Sequence, residues 1–177
     1  MAKSLFLPPD GPMIFTLAAL RALDFTGTGV NGQHIVPGVF FGFDSPAADV
    51  LRLESRPGSL IRFSLGADAP GRWLTFHMTL GAADYSDCKL LGFACRSSAA
   101  EPTSFRVCLR SGVEGGHRDV MLGEPVITGP QVSADLDVVN LDDTPTLPLT
   151  APWRELMLVF KTDTPAINLL DFRLIVI

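Results

Sequence analysis

Between residues 72 and 80 the side chains alternate without a break. Leu74, Phe76, Met78 and Leu80 fall on one side, and Trp73, Thr75, His77 and Thr79 fall on the other. A period of two sustained over that length suits a half-buried β-strand and does not suit a helix. The same rhythm returns at residues 49–54, 60–65 and 104–110, where Phe105, Val107 and Leu109 oppose Arg106, Cys108 and Arg110. Apolar runs at residues 39–43, 88–96, 153–161 and 168–177 read as further strands, and residues 117–122 as a short one. Turn signals separate them, at residues 56–59, 68–71 and 112–116. The chain carries 16 glycines and 14 prolines among 177 residues, which leaves no room for long helices or a coiled coil. About ten short strands with turns between them predict an all-β protein, a two-sheet antiparallel β-sandwich. The closing apolar strand must be paired inside a sheet, since a free apolar edge invites aggregation.

Residues 12–23 fit a short helix or a strand leading into residues 23–25, so at most one short helix is expected near the N-terminus. Residues 26–32 read as a glycine-rich turn; no Lys-Ser/Thr follows, so it is no phosphate-cradling loop. Residues 81–87 and 96–103 read as loops. Residues 123–152 are irregular, with one edge strand suggested by Val132, Ala134, Leu136 and Val138. Residues 1–177 are expected to form a single domain, with 1–38 an N-terminal arm and first strand and 39–177 the sandwich core.

The strand order resembles that of the jelly-roll carbohydrate-binding modules, the galactose-binding-like β-sandwiches. A strand headed by Trp73 is followed by core strands at residues 88–93 and 104–110. A proline-rich crossing then leads to a strand headed by Trp153 and a final strand containing Asp171, Phe172, Arg173 and Leu174. The resemblance covers about residues 50–177 and is one of strand rhythm. It implies a jelly roll and non-catalytic glycan binding. Jelly rolls also build viral and phage-like particles, so a spike-type attachment subunit that recognises a host polysaccharide fits the same pattern.

Trp73, Thr75 and His77 share a strand face, where a ring can stack on the apolar face of a sugar and polar groups can bind its hydroxyls. Arg62, Arg106, Arg110 and Arg173 occupy outward positions on other strands. Were those strands neighbours, the arginines would form a basic patch suited to uronic or sulfated glycans. Asp135, Asp137, Asn140, Asp142 and Asp143 gather oxygen ligands within nine residues, the hard donors that calcium takes. A structural calcium ion is therefore the one cofactor the sequence offers, although the spacing is not that of an EF-hand.

Other chemistry finds little purchase. His34, His77 and His117 lie far apart with no H-x-x-x-H pair, against zinc. No G-x-S-x-G occurs, and Cys88, Cys95 and Cys108 read as free thiols. The net charge of −5, with no basic run, argues against nucleic acid and anionic membranes. No apolar run is long enough for a membrane span. The short apolar stretch before Pro8 and Pro9 does not make a secretory leader, so synthesis in the cytoplasm without Sec export is expected, with a virion or particle surface as the destination that the attachment reading implies. Phe40, Phe41, Phe43 and Met13 exceed what alternation requires, which favours burial against another subunit and a homo-oligomer. The expected function is a non-enzymatic glycan-binding attachment protein. The alternatives are a purely structural self-assembling subunit and, less favoured, a polysaccharide lyase or hydrolase.

Overall fold

The computed structural model describes residues 10–44, 51–66 and 72–177. Among them are helix α1 (Gly11–Arg21) and twelve strands: β1 (Phe25–Gly29), β2 (His34–Val36), β3 (Val39–Phe43), β4 (Leu51–Ser55), β5 (Ile61–Leu65), β6 (Leu74–Asp84), β7 (Leu90–Ala99), β8 (Thr103–Val113), β9 (Gly116–Thr128), β10 (Ser133–Asn140), β11 (Thr150–Phe160) and β12 (Ile167–Val176). They form two six-stranded sheets of order β1-β4-β5-β12-β7-β10 and β2-β3-β6-β11-β8-β9, here called the first and second sheet. Every pairing is antiparallel. The protein is an all-β sandwich with one short helix near its N-terminus, as the alternation predicts.

The alternating apolar residues make the core. Leu74, Phe76, Met78 and Leu80 of β6 and Phe105, Val107 and Leu109 of β8 face Ile61, Phe63, Phe93, Phe172 and Leu174 of the first sheet, and all are buried. Phe63 lies 5.0 Å from Phe41 and 4.8 Å from Phe160, so the aromatic packing crosses from sheet to sheet. The final strand β12 is held between β5 and β7, which removes the exposed apolar edge it would otherwise present. Residues 10–38 are woven into the sandwich: β1 pairs with β4 and β2 with β3. Helix α1 starts with a proline in its first turn, where the missing N–H costs nothing. It buries Met13, Leu17 and Leu20, spaced along one face, in the common core.

Several boundaries differ from the sequence reading. Residues 25–29 form a strand, and glycine there permits close packing: a methyl group on Gly29 would lie 2.6 Å from Leu51. Strand β6 runs through Gly81, whose φ of +76° accommodates a register shift opposite Arg154. Strand β7 continues to Ala99, because Ser97 and Ser98 are polar but pair with β12. The expected strand at residues 49–54 is described only from Leu51 onward, and residues 49 and 50 lie outside the described residues. The apolar excess also resolves within one chain. Met13, Phe41 and Phe43 are core residues, and Phe40 is half-buried against His77, so none of them calls for a second subunit.

Among the described residues one charged side chain is wholly inside. Arg154 of β11 donates to Ser111 Oγ at 2.5 Å and to the carbonyls of Pro148 and Leu149, each at 2.7 Å. Its guanidinium also sits 4.2 Å from the centre of the Tyr85 ring. Burial pulls Arg154 below the usual arginine value and pushes Tyr85 up to about 12.

Candidate functional site

The outward residues of the second sheet form a lattice that follows directly from the registers. Across one row lie Gly42, Thr75, Val159 and Arg106; across the next, His34, Phe40, His77, Met157, Cys108 and Met121; across the third, Thr79, Glu155, Arg110 and Asp119. A depression of about 500 Å³ opens over the centre, lined among others by Trp73, Thr75, His77, Arg110 and Asp119.

The polar groups of this face hold one another. His77 is buried, with Nδ1 2.9 Å from Glu155 Oε2 and Nε2 2.7 Å from Thr75 Oγ1. Its ring stacks on Phe40 at 4.5 Å, and Phe40 stacks in turn on His34 at 5.1 Å. Thr75 Oγ1 is also 3.0 Å from the Gly42 carbonyl. Arg110 grips Asp119 through two bonds of 2.7 Å, a fork-to-carboxylate pair. The Arg110 hydrogen bonds hold the Asp119 carboxyl below the usual carboxylate range. Beneath lies Cys108, buried, its thiol pushed up to about 11 by desolvation and therefore a small apolar floor residue.

Trp73 is 43% exposed at the head of β6. The space below it exists because residue 42 is glycine: a methyl group there would meet Thr75 Oγ1 at 2.8 Å, His77 Nε2 at 2.9 Å and Trp73 Cζ3 at 3.0 Å. This notch is invisible in the periodicity of β6, because it is supplied by β3.

The structure therefore brings Trp73, Thr75, His77 and Arg110 together, with Arg106 in the row of Thr75 but beyond Val159, outside the depression's lining. It does not bring Arg62 and Arg173 to them. Those residues sit on β5 and β12, strands of the first sheet, so the four arginines form no common basic patch. Arg110 is neutralised by Asp119 as well. Glu155, which orients His77, and Asp119 were not singled out by the sequence reading, since their partners are 78 and 9 residues away along the chain.

The expected calcium ligands also separate. On β10, Asp135 and Asp137 point to one side and Asn140 to the other, as alternation demands. Asp137 accepts the Glu124 N–H at 2.7 Å, and Asn140 caps a short 3-10 turn (Leu141–Asp143) by accepting the Asp142 N–H at 3.0 Å. Among the described residues no three His, Cys, Asp or Glu side chains converge to hold a metal ion. All three cysteines are free.

No protein-family model matches the sequence, and no curated protein matches it either. Solved structures do match in shape. A family 4 carbohydrate-binding module superposes with a TM-score of 0.56 over 87% of this chain and 96% of that one, at 14% identity. The fold is that of the jelly-roll carbohydrate-binding modules. A family 28 module specific for non-crystalline cellulose aligns over 84% of this chain and 97% of its own, at 11% identity and a TM-score of 0.49. The xylan-binding domain CBM22-1 of Paenibacillus barcinonensis Xyn10C aligns over 86% and 92%, at 8% identity and 0.47.

Proposed function

We propose that this protein is a non-catalytic glycan-binding protein whose ligand lies on the outer face of the second sheet. The observation that carries the reading is the depression in which an exposed indole, Trp73, stands beside Thr75, His77 and Arg110. A stacking surface next to fixed hydrogen-bonding groups is the arrangement a sugar ring requires. Because His77 and Arg110 are held by Glu155 and Asp119, little ordering remains to be done on binding.

The same contacts speak against catalysis. Glycoside hydrolysis needs a carboxyl held neutral at working pH as an acid, whereas Arg110 keeps Asp119 ionised and Glu155 is engaged by His77. Thr75, His77 and Glu155 do form a hydroxyl–imidazole–carboxylate chain, but the Gly42 carbonyl lies 3.0 Å from the hydroxyl. The hydroxyl donates its proton to that carbonyl, so the proton a base would have to remove is directed away from the imidazole.

Isothermal titration against a polysaccharide panel tests the proposal. Binding of at least one neutral polysaccharide, weakened in Trp73→Ala and His77→Ala, is expected. No heat with any member, or unchanged affinity in both variants, overturns it.

A finer reading places the protein as an attachment subunit on a phage-like particle, tested by whether the purified chain blocks adsorption of such a particle to polysaccharide-bearing cells. A second reading, self-assembly, draws on the first sheet, where Leu136 is 68% and Val138 39% exposed on β10. A concentration-dependent sedimentation coefficient that Leu136→Asp abolishes would support it, and a monomer at every concentration would end it.

A further inference from the structure

The second exposed indole lies on the same face. Trp153 is 41% exposed, and it precedes Arg154, whose side chain is tied into the core by Ser111, Pro148 and Leu149. Since neighbours on a strand point to opposite sides, anchoring Arg154 inward holds Trp153 outward, on the side of Glu155. The pairing of β11 with β6 shifts register on either side of Arg154.

The ring lies over Gly112 of β8. A methyl group on Gly112 would be 2.3 Å from Trp153 Nε1, 2.6 Å from Cε2 and 2.7 Å from Cδ1. An atom approaching Nε1 edge-on would be markedly farther from the two flanking carbons, so the near-equal distances describe an approach to the ring's face. Trp153 thus rests face-down in the space that Gly112 leaves, and its opposite face is the one turned to solvent.

The two indoles stand at opposite ends of the lattice. Trp73 heads the strand beside Gly42 and Thr75, and Val159 of β11 pairs with Thr75. From Val159 to Trp153 the strand covers roughly 20 Å at ~3.3 Å per residue. No single sugar ring reaches both. The polar groups between them are engaged within the protein, Glu155 hydrogen-bonded to His77 and Asp119 paired with Arg110. Arg106 lies on β8 beside Val159, at the Trp73 end of this stretch and to one side of β6 and β11.

We propose that Trp153 is a second stacking platform, and that the ligand is a linear, uncharged oligosaccharide several rings long, running diagonally over β6 and β11 from Trp73 to Trp153. This rests on the glycan-binding reading of the face and adds its length, direction and distal contact. The protein then discriminates by chain length: short oligosaccharides gain only the Trp73 end, and longer ones gain both.

Titration with oligosaccharides of two to six units cut from cellulose and from xylan tests it. Affinity in at least one series is expected to rise tenfold or more between the dimer and the hexamer. Trp153→Ala should lose at least tenfold for the hexamer and less than twofold for the dimer, whereas Trp73→Ala should weaken both. Trp153→Phe, which keeps a ring over Gly112, should recover part of the hexamer affinity, and thermal unfolding of each variant controls for folding. Equal dimer and hexamer affinities in the wild type, or hexamer affinity within twofold in Trp153→Ala, overturns the distal platform while leaving glycan binding in place. A wild type that binds no oligosaccharide of either series, but binds another polysaccharide of the panel, overturns the linear ligand as stated. A wild type that binds no saccharide of any kind overturns both readings.

Discussion

The two sheets use glycine in opposite ways. On the outer face of the first sheet, Gly92 of β7 lets the neighbouring backbone close in: a methyl group there would lie 2.2 Å from the Asp137 carbonyl and 2.8 Å from Val138 Cα. On the second sheet, Gly42 and Gly112 leave notches that are filled by the side chains of Trp73 and Trp153. The first use tightens a strand pair. The second seats aromatic rings on a sheet surface without burying them. The polar groups differ in the same sense. On the second sheet His77, Glu155, Arg110 and Asp119 fix one another, whereas on the first sheet Leu136 and Val138 stand exposed on the edge strand. Alternation supplies every strand with an outward face; recognition favours a face whose groups are already held, and among the described residues the second sheet combines such groups with an exposed ring.

The largest expected effect is on the second sheet. Trp73→Ala removes an exposed ring at one end of the face and should weaken glycan binding about 30-fold, or ~2 kcal/mol, as for a dominant contact residue. Gly42→Ala should follow, at about five- to tenfold or ~1 kcal/mol, because the added methyl displaces Thr75, His77 or Trp73, all within 3.0 Å of it. Its counterpart Gly92→Ala must push backbone atoms and should lower the melting temperature, the cost being about 1–3 kcal/mol of stability, while the folded protein binds normally. If Gly92→Ala weakens binding and Gly42→Ala only stability, the contrast between the sheets is reversed.

Much of the fold was legible because alternation is local. The alternation from Leu74 to Leu80 announces a half-buried strand, and the structure places Leu74, Phe76, Met78 and Leu80 in the core. Half of the site was legible for the same reason, since Trp73, Thr75 and His77 share one strand face. What could not be read is which strands become neighbours. Arg110 came to this face because β8 pairs with β11, and Arg173 did not because β12 pairs with β5 and β7. Both residues look alike within their own strands. The acidic run from Asp135 to Asp143 is compact only along the chain, since an extended strand followed by a turn spreads its carboxylates apart. Trp153 was visible as a strand head, but its orientation depends on Arg154 being buried, and nothing in the sequence marks that arginine as internal.

A smaller effect concerns pH. Arg110 holds the Asp119 carboxyl below its ordinary value, so the ionised pair stabilises the folded state above the unfolded carboxylate pKa of about 3.9. The contribution is lost as pH falls through the folded pKa. Asp119 is about one-third exposed, and solvent screening reduces the gain to roughly 0.5 kcal/mol. Asp119→Asn should therefore melt slightly below the wild type at pH 6, with the gap closing below pH 4. A gap that persists at pH 2 would mean that packing, not charge, joins the two residues.

The smallest effect is the one that separates the faces most cleanly. Arg62→Ala and Arg173→Ala remove positive charge from the first sheet, on strands separated from the Trp73 face by the whole core. Neither should change the affinity for a neutral glycan by more than about twofold, which is under ~0.5 kcal/mol. Long-range electrostatics cannot rescue a role for them at ordinary salt, because the screening length is about 8 Å and the facing sheets alone are ~10 Å apart. Titration of the double variant against the glycan that binds the wild type makes the comparison decisive. A loss comparable to that of Trp73→Ala would move the site to the first sheet, and the two indoles of the second would then need another occupant.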